Sequence, residues 1–309
     1  MTAVAGVDLD VAPGELVGFL GPNGAGKTTT LRMLTTLLRP TAGSATVAGH
    51  DLLREPAEVR RHIGYVGQHG SAGPDLRVSD ELIWQCRCYG MDTRAARARA
   101  SWLIEQFDLT GVADRLVQTL SGGQRRRLDL AMGLVHQPRL LFLDEPTTGL
   151  DPQSRANLWD HVRTLHAEQG TTVFLTTHYL DEADALCDRI LVIDAGRIVA
   201  EGSPDELKRR VSGDLVVVET DDPGRVAELA GALSDATDPV VDGSSVRFRV
   251  GDGHGTLLRL LRELDARGVA TTSVEVRRPS LDDVFFTLTG RSLREAEVSA
   301  QPIPAGEVR

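Results

Sequence analysis

Apolar residues follow two rhythms along the 309-residue chain. Unbroken apolar runs occur at ELVGFL (15–20), LLFL (140–143), TVFLT (172–176) and ILVI (190–193). Such short runs fit strands buried on both faces and are too short for helices. Between them, apolar positions recur at helical spacing from Lys27 to about Leu38, over 152–168 and over 179–187. Strand alternating with helix predicts an α/β fold, a mostly parallel sheet with helices on both faces. SATVAG (44–49) and HIGYVGQ (62–68) read as further strands around a polar segment at 55–61, and 198–200 as a short one after the Asp194–Arg197 turn. Residues 79–137 are mostly helical, punctuated by Gly111 and by Ser121-Gly122-Gly123, and form an expected helical subdomain.

The pattern restarts near VSGD (211–214). LVVVE (215–219), a helix from Gly224, a turn at Asp242-Gly243, VRFRV (246–250), a helix over 256–267 and VEV (274–276) follow. The order βαββαβ predicts a small ferredoxin-like α/β domain. The expected organisation is thus a large domain at 1–212, a small one at 213–290, and a charged, mobile tail at 291–309.

Where the first apolar run ends, the chain reads GPNGAGKTT: Gly21, Pro22, Asn23, Gly24, Ala25, Gly26, Lys27, Thr28, Thr29. This fits the phosphate-loop pattern G-x-x-x-x-G-K-[ST] in the strand–loop–helix context that it requires, and predicts a P-loop NTPase. Glycines let backbone N–H groups turn onto phosphate oxygens at a helix N-terminus. Lys27 supplies a point charge for the β- and γ-phosphates, and Thr28 a hydroxyl for Mg²⁺. LLFLDE ends in two carboxylates: Asp144 is expected near the Mg²⁺, and Glu145 facing the γ-phosphate as the group that polarises an attacking water.

Composition narrows the partners. A net charge of −10 argues against a nucleic-acid binder. Lys27 and Lys208 are the only lysines. Cys86, Cys88 and Cys187 offer neither a disulfide framework nor zinc spacing and read as small apolar residues. Neither a signal peptide nor an apolar stretch long enough to span a bilayer is visible, so any work at a membrane is expected to pass through a partner.

LSGGQ (Leu120, Ser121, Gly122, Gly123, Gln124) carries a resemblance. With it in place between the phosphate loop and LLFLDEP, the chain resembles the ATP-binding subunits of ABC transporters over about residues 4–210. The resemblance implies that the signature binds the γ-phosphate held by a second, identical subunit, so that each site is composite. Ser121-Gly122-Gly123 opening a helix suits an anion. It further implies that Gln68 senses Mg²⁺ and the attacking water, that His178 contacts the γ-phosphate, and that Asp151 communicates between the two sites. Segment 69–90 is then where a multi-span permease docks. Leu82, Trp84 and Tyr89 are read evenly as groove or as core. Arg125–Arg127 read as a solvated basic face.

SGGQRRRLDLA, TTHYLDEADALCDRI, GSPDELKRR and PSLDDVFFTLTG (279–290) are similar to the daunorubicin/doxorubicin-resistance group of drug-export ATPases. That implies a peripheral ATPase on the cytoplasmic face of the membrane, exporting a hydrophobic drug with ATP and Mg²⁺. Lipid or polysaccharide export, a soluble ABC-type ATPase and a nucleotide kinase are the alternatives. The chain departs from the family at its start: no aromatic residue precedes Phe19 to stack on adenine. The departure predicts weak base discrimination, and either an earlier natural start or an impaired copy.

Overall fold

The protein is described by a computed structural model over residues 2–211, 213–233, 236, 239–251 and 253–290, so the tail at 291–309 lies outside the described residues. The chain divides into two compact units, the second beginning at Pro204.

In the first unit, β1 (Leu16–Leu20) leads into α1 (Lys27–Leu34). A hairpin of β2 (Thr46–Val47) and β3 (His50–Asp51), then α2 (Pro56–His62) and β4 (Ile63–Val66), come next. The helices α3 (Val78–Cys88), α4 (Thr93–Gln106) and α5 (Gly122–Gly133) occupy the expected helical stretch. β5 (Leu140–Asp144), α6 (Pro152–Gln169), β6 (Thr172–Thr177), α7 (Leu180–Leu186), β7 (Arg189–Asp194) and β8 (Arg197–Gly202) complete the unit.

Two expectations change here. Segment 44–49 is not one strand but part of a hairpin, because Ala48 (φ 52°) and Gly49 (φ 88°) both take the left-handed backbone that a two-residue primed turn needs. Polar segment 55–61 is helical. Pro56 opens α2, Arg60, Arg61 and His62 complement its C-terminal dipole, and Val59 is its buried residue, so there is little apolar periodicity to read.

The sheet runs β4-β5-β6-β1-β7-β8, parallel through β7 and closed by antiparallel β8. β1 and β6 are buried at every position, as strands covered on both faces are. Val17, Phe19, Leu31, Phe142, Phe174 and Leu191 form the centre of the core. Register then places the site: Leu20 pairs with Thr177, and Asp144 with Thr176. The phosphate loop, the acidic pair and His178 therefore leave the same edge, where open α/β sheets bind ligands.

The second unit contains α8 (Pro204–Arg209), β9 (Asp214–Thr220), α9 (Pro223–Gly231), β10 (Val240–Asp242), β11 (Ser245–Val250), α10 (Gly253–Ala266), β12 (Thr271–Arg277) and α11 (Leu281–Thr289). Its sheet is antiparallel throughout, ordered β10-β11-β9-β12. Val216, Val218, Val246, Phe248 and Leu260 build a separate core. Helix α11, which the sequence reading leaves unassigned, is capped reciprocally by Ser280 and Asp283. Arg249 ties that cap to β11 at 2.6 Å. Among the described residues no helix is long and apolar enough to cross a membrane.

Candidate functional site

The phosphate loop owes its path to glycine. Gly24 (φ 80°) and Gly26 (φ 105°) are left-handed, and a Cβ on Gly26 would stand 2.7 Å from the Ala3 carbonyl oxygen. Lys27, 4% exposed, donates to the carbonyls of Gly21 (2.8 Å) and Pro22 (3.1 Å) and stands 3.3 Å from Glu145 Oε1. The loop thus aims a cation and a helix N-terminus at one point, which suits a polyphosphate.

Asp144 and Glu145 divide their surroundings. Asp144 Oδ1 accepts from Thr28 Oγ1 (3.1 Å) and Thr176 Oγ1 (2.7 Å), while its buried Oδ2 has no hydrogen-bond partner. A buried carboxylate oxygen left over beside a hydroxyl fits a hard divalent cation such as Mg²⁺. Glu145 points the other way. Its Oε2 accepts from Gln68 Nε2 (3.2 Å) and Thr148 Oγ1 (3.2 Å) and lies 3.3 Å from His178 Nδ1. Its backbone takes φ 45°, and its N–H donates to Thr176. Burial opposes ionisation of Glu145, but the adjacent His178 and the Lys27 ammonium outweigh it and hold the carboxyl at about 2. Gln68, Lys27, Glu145 and His178 are brought together, with Thr28 and Asp144 beside them.

The signature sits at the exposed N-terminus of α5. Ser121 and Gln124 form a capping box on α5: Ser121 Oγ accepts from Gln124 N (3.3 Å), and Gln124 Oε1 from Ser121 N (3.0 Å). That leaves the first-turn N–H groups of Gly122 and Gly123 without intrahelical partners. Leu120 is buried beneath them. Asp151 caps α6 through Ser154 N (2.9 Å), and a Cβ on Gly123 would meet Ser154 Oγ at 2.7 Å, so signature and Asp151 cap pack together.

Other readings change. Arg126 is not on a solvated face: it is 7% exposed and donates to the carbonyls of Gly67, Asp144 and Pro146. The signal for it was present, since Arg126 shares a helix face with buried Gly123 and Leu130, three residues before and four after. Thr176 also escaped notice, although it fixes both acidic residues. Leu82 is core, whereas Trp84 (58% exposed) and Tyr89, stacked on His136, lie at the surface. Cys86 and Cys187 are buried and Cys88 is exposed. A cleft of about 830 Å³ at the opposite end of the strands, lined by Gly14, Trp102, Arg139 and Thr172, contains none of these groups.

A phosphate loop and an acidic strand end meeting across a parallel sheet, with a signature exposed at a helix N-terminus, make the first unit an ATP-binding cassette. The ABC transporter family model matches residues 4–148, and the model for the C-terminal domain of DrrA1-3-like ATP-binding proteins matches residues 202–289. The chain is 48% identical over 299 residues to the daunorubicin resistance ATP-binding protein DrrA3 of Streptomyces coeruleorubidus, covering 96% of this chain and 94% of that one. It is 46% identical over 303 residues to the daunorubicin/doxorubicin resistance ATP-binding protein DrrA of Streptomyces peucetius, covering 95% and 91%. A dimeric post-hydrolysis state of the ATP-binding cassette MJ0796, bound to ADP and Pi, matches with TM-score 0.60 and 28% identity over 65% of this chain and 90% of that one. The chain belongs to the DrrA daunorubicin/doxorubicin resistance family of ABC transporter ATP-binding proteins. It is an ATP-hydrolysing subunit of the drug-export type.

Proposed function

We propose that two copies of this chain close head to tail around two ATP molecules and drive a separate multi-span permease that exports a hydrophobic antibiotic. The observation that carries this reading is the convergence of Lys27, Gln68 and His178 on the Glu145 carboxylate, beside the Thr28–Asp144 pair.

In this reading the loop 21–29 binds the phosphates through its N–H groups, and Lys27 leaves Glu145 for the β- and γ-oxygens. Glu145, relieved of that ion pair, orients the attacking water and accepts its proton. Gln68 and His178 hold the water and the γ-phosphate in line. Thr28, Asp144 and Gln68 would hold Mg²⁺, which would neutralise charge on the phosphates. Residues 120–124 serve the partner's ATP, and Asp151, beside them, links the two sites. The dimeric MJ0796 cassette supports the pairing.

The ATPase domain is read as 1–212 and the small domain as 213–290. Strand order β10-β11-β9-β12 with every neighbour antiparallel supports a ferredoxin-like split βαβ. We read exposed Trp84 on α3 as the anchor for the permease, with the chain at the cytoplasmic face of the membrane; its exposure supports that reading. Nucleic acid is not a partner, given the net charge of −10.

A mixing experiment tests the composite site. Lys27→Ala weakens ATP binding, and Ser121→Arg spares binding but stops turnover. Each variant alone is inactive. Mixed, they restore one complete site per dimer, with Lys27 from one chain and Ser121 from the other. If the mixture stays inactive while each chain folds and the two chains associate, the composite reading fails.

A further inference from the structure

Arg126 lies on α5, the helix that Ser121 caps, and its three donors all end on main-chain carbonyls. Nε reaches Pro146 O at 2.6 Å, Nη1 reaches Gly67 O at 2.6 Å, and Nη2 reaches Asp144 O at 3.2 Å. Two of these acceptors bracket Glu145 and the third precedes Gln68. The Asp144 carbonyl belongs to the peptide plane that enters Glu145, and the Pro146 carbonyl to the plane that leaves Pro146, one residue further on. Pinning both restrains a residue whose φ of 45° is uncommon without glycine and persists only where surroundings impose it. One turn further along α5, buried Asp129 accepts from Ser71 N at 3.2 Å. The same helix face therefore grips the Gln68 segment on both sides. Among the described residues, the charged groups facing this guanidinium are Asp129, Asp144 and Glu182.

We propose that Arg126 is a positioning residue for ATP hydrolysis, holding Glu145 and Gln68 in register with each other and tying them to the helix that carries the signature. The assignment rests on the reading of Glu145 given above. A planar guanidinium is required, because a lysine ammonium cannot reach three divergent carbonyls. Signature and hydrolytic carboxylate are thereby coupled within one chain: a shift of α5 when Ser121 engages a partner's nucleotide carries the Glu145 backbone with it.

The test uses the full chain with Arg126→Lys and Arg126→Met, each alone and combined with Glu145→Gln. ATP affinity is measured by titration with a fluorescent ATP analogue, and hydrolysis by single-turnover kinetics. Both single variants are expected to bind ATP as the wild type does and to lose about 100-fold in turnover, the scale of a misplaced catalytic group. In the Glu145→Gln background neither adds a further loss, since the two residues act as a unit. Wild-type turnover in either variant, a loss of ATP affinity in step with turnover, an additive loss in the double variants, or failure of both variants to fold each overturns the proposal. Hydrolysis by Glu145→Gln at the wild-type rate instead removes the reading of Glu145, and this inference with it. An inactive Glu145→Gln beside a fully active Arg126→Met removes this inference alone.

Discussion

The two units bury different chemistry. In the first, Lys27, Glu81, Arg126, Asp129, Asp144, Glu145 and Glu182 are all buried. In the second, the buried polar residues among those described are Thr220, Ser245 and Thr256, none of them charged. Burying a charge costs several kcal/mol, on the order of 3–5 if its partner is then removed, so a core gains nothing by collecting charges. Five of the seven in the first unit line or support the phosphate edge of the sheet. The charges mark where the chain does chemistry, and the second unit, with an uncharged core and apolar edge residues such as Val240, is built to pack.

The comparison is broken most severely at Glu145. Glu145→Gln keeps the side-chain shape but removes the proton acceptor. Turnover should fall by roughly 10²–10⁴-fold with ATP binding retained, measured by phosphate release and nucleotide titration. The same variant has a pH signature. The Glu145 carboxyl sits at about 2 in the folded chain against 4.5 unfolded, so its contribution to stability is complete above pH 4.5 and is lost as pH falls toward 2. Acid unfolding of Glu145→Gln should therefore show a shallower pH dependence in that window. An identical acid profile would mean that the Lys27 and His178 contacts do not hold the carboxylate in solution.

Next in size is a change confined to the second core. Phe248 is 2% exposed among Val216, Val218 and Leu260. Phe248→Ala should destabilise that unit by about 3–5 kcal/mol, by loss of buried area and creation of a cavity. ATP affinity should stay unchanged, because no residue of the phosphate edge belongs to that core. Two melting transitions by calorimetry, with only one displaced, would sharpen the contrast. A matching loss of ATP affinity would show that the units share stability.

How much of this was legible follows the same division. The parallel strands were readable because burial on both faces leaves apolar runs such as ILVI unbroken, and the phosphate loop because its chemistry is local in sequence. Arg126 was readable as a buried group only through the phase of its helix. Its acceptor at Gly67 lies 59 residues away, and three adjacent arginines look like a solvated face until helix phase is considered. Thr176 was hidden within an ordinary strand, since a hydroxyl that orients Asp144 leaves no mark on hydrophobic patterning. Helix α2 failed for the opposite reason: Val59 is its buried side chain, so periodicity had nothing to repeat.

The smallest expected effect tests whether buried charge always means chemistry. Glu182 is fully buried on α7, where its Oε1 accepts from Thr147 Oγ1 (2.9 Å) and Trp159 Nε1 (3.1 Å). Burial raises its carboxyl above the usual 4.5, against the pull of those donors. The sign is opposite to that of Glu145. An acid whose folded pKa is raised binds its proton more tightly when folded, so stability falls as pH rises above 4.5. Glu182→Gln removes the ionisation and keeps an oxygen to accept both hydrogen bonds. The variant should match or exceed the wild type at pH 8, by on the order of 1 kcal/mol, with the difference shrinking toward pH 5. Thermal melts across that range measure it. Thr147 leads toward Asp151, Trp159 lies on the helix that Asp151 caps, and the Thr177 hydroxyl also bonds Glu182, so this carboxyl holds the frame of that loop from behind the phosphate edge. If Glu182→Gln instead melts like the wild type at every pH but loses turnover, then this charge too belongs to the chemistry, and of the seven only Glu81 is left as buried for structure alone.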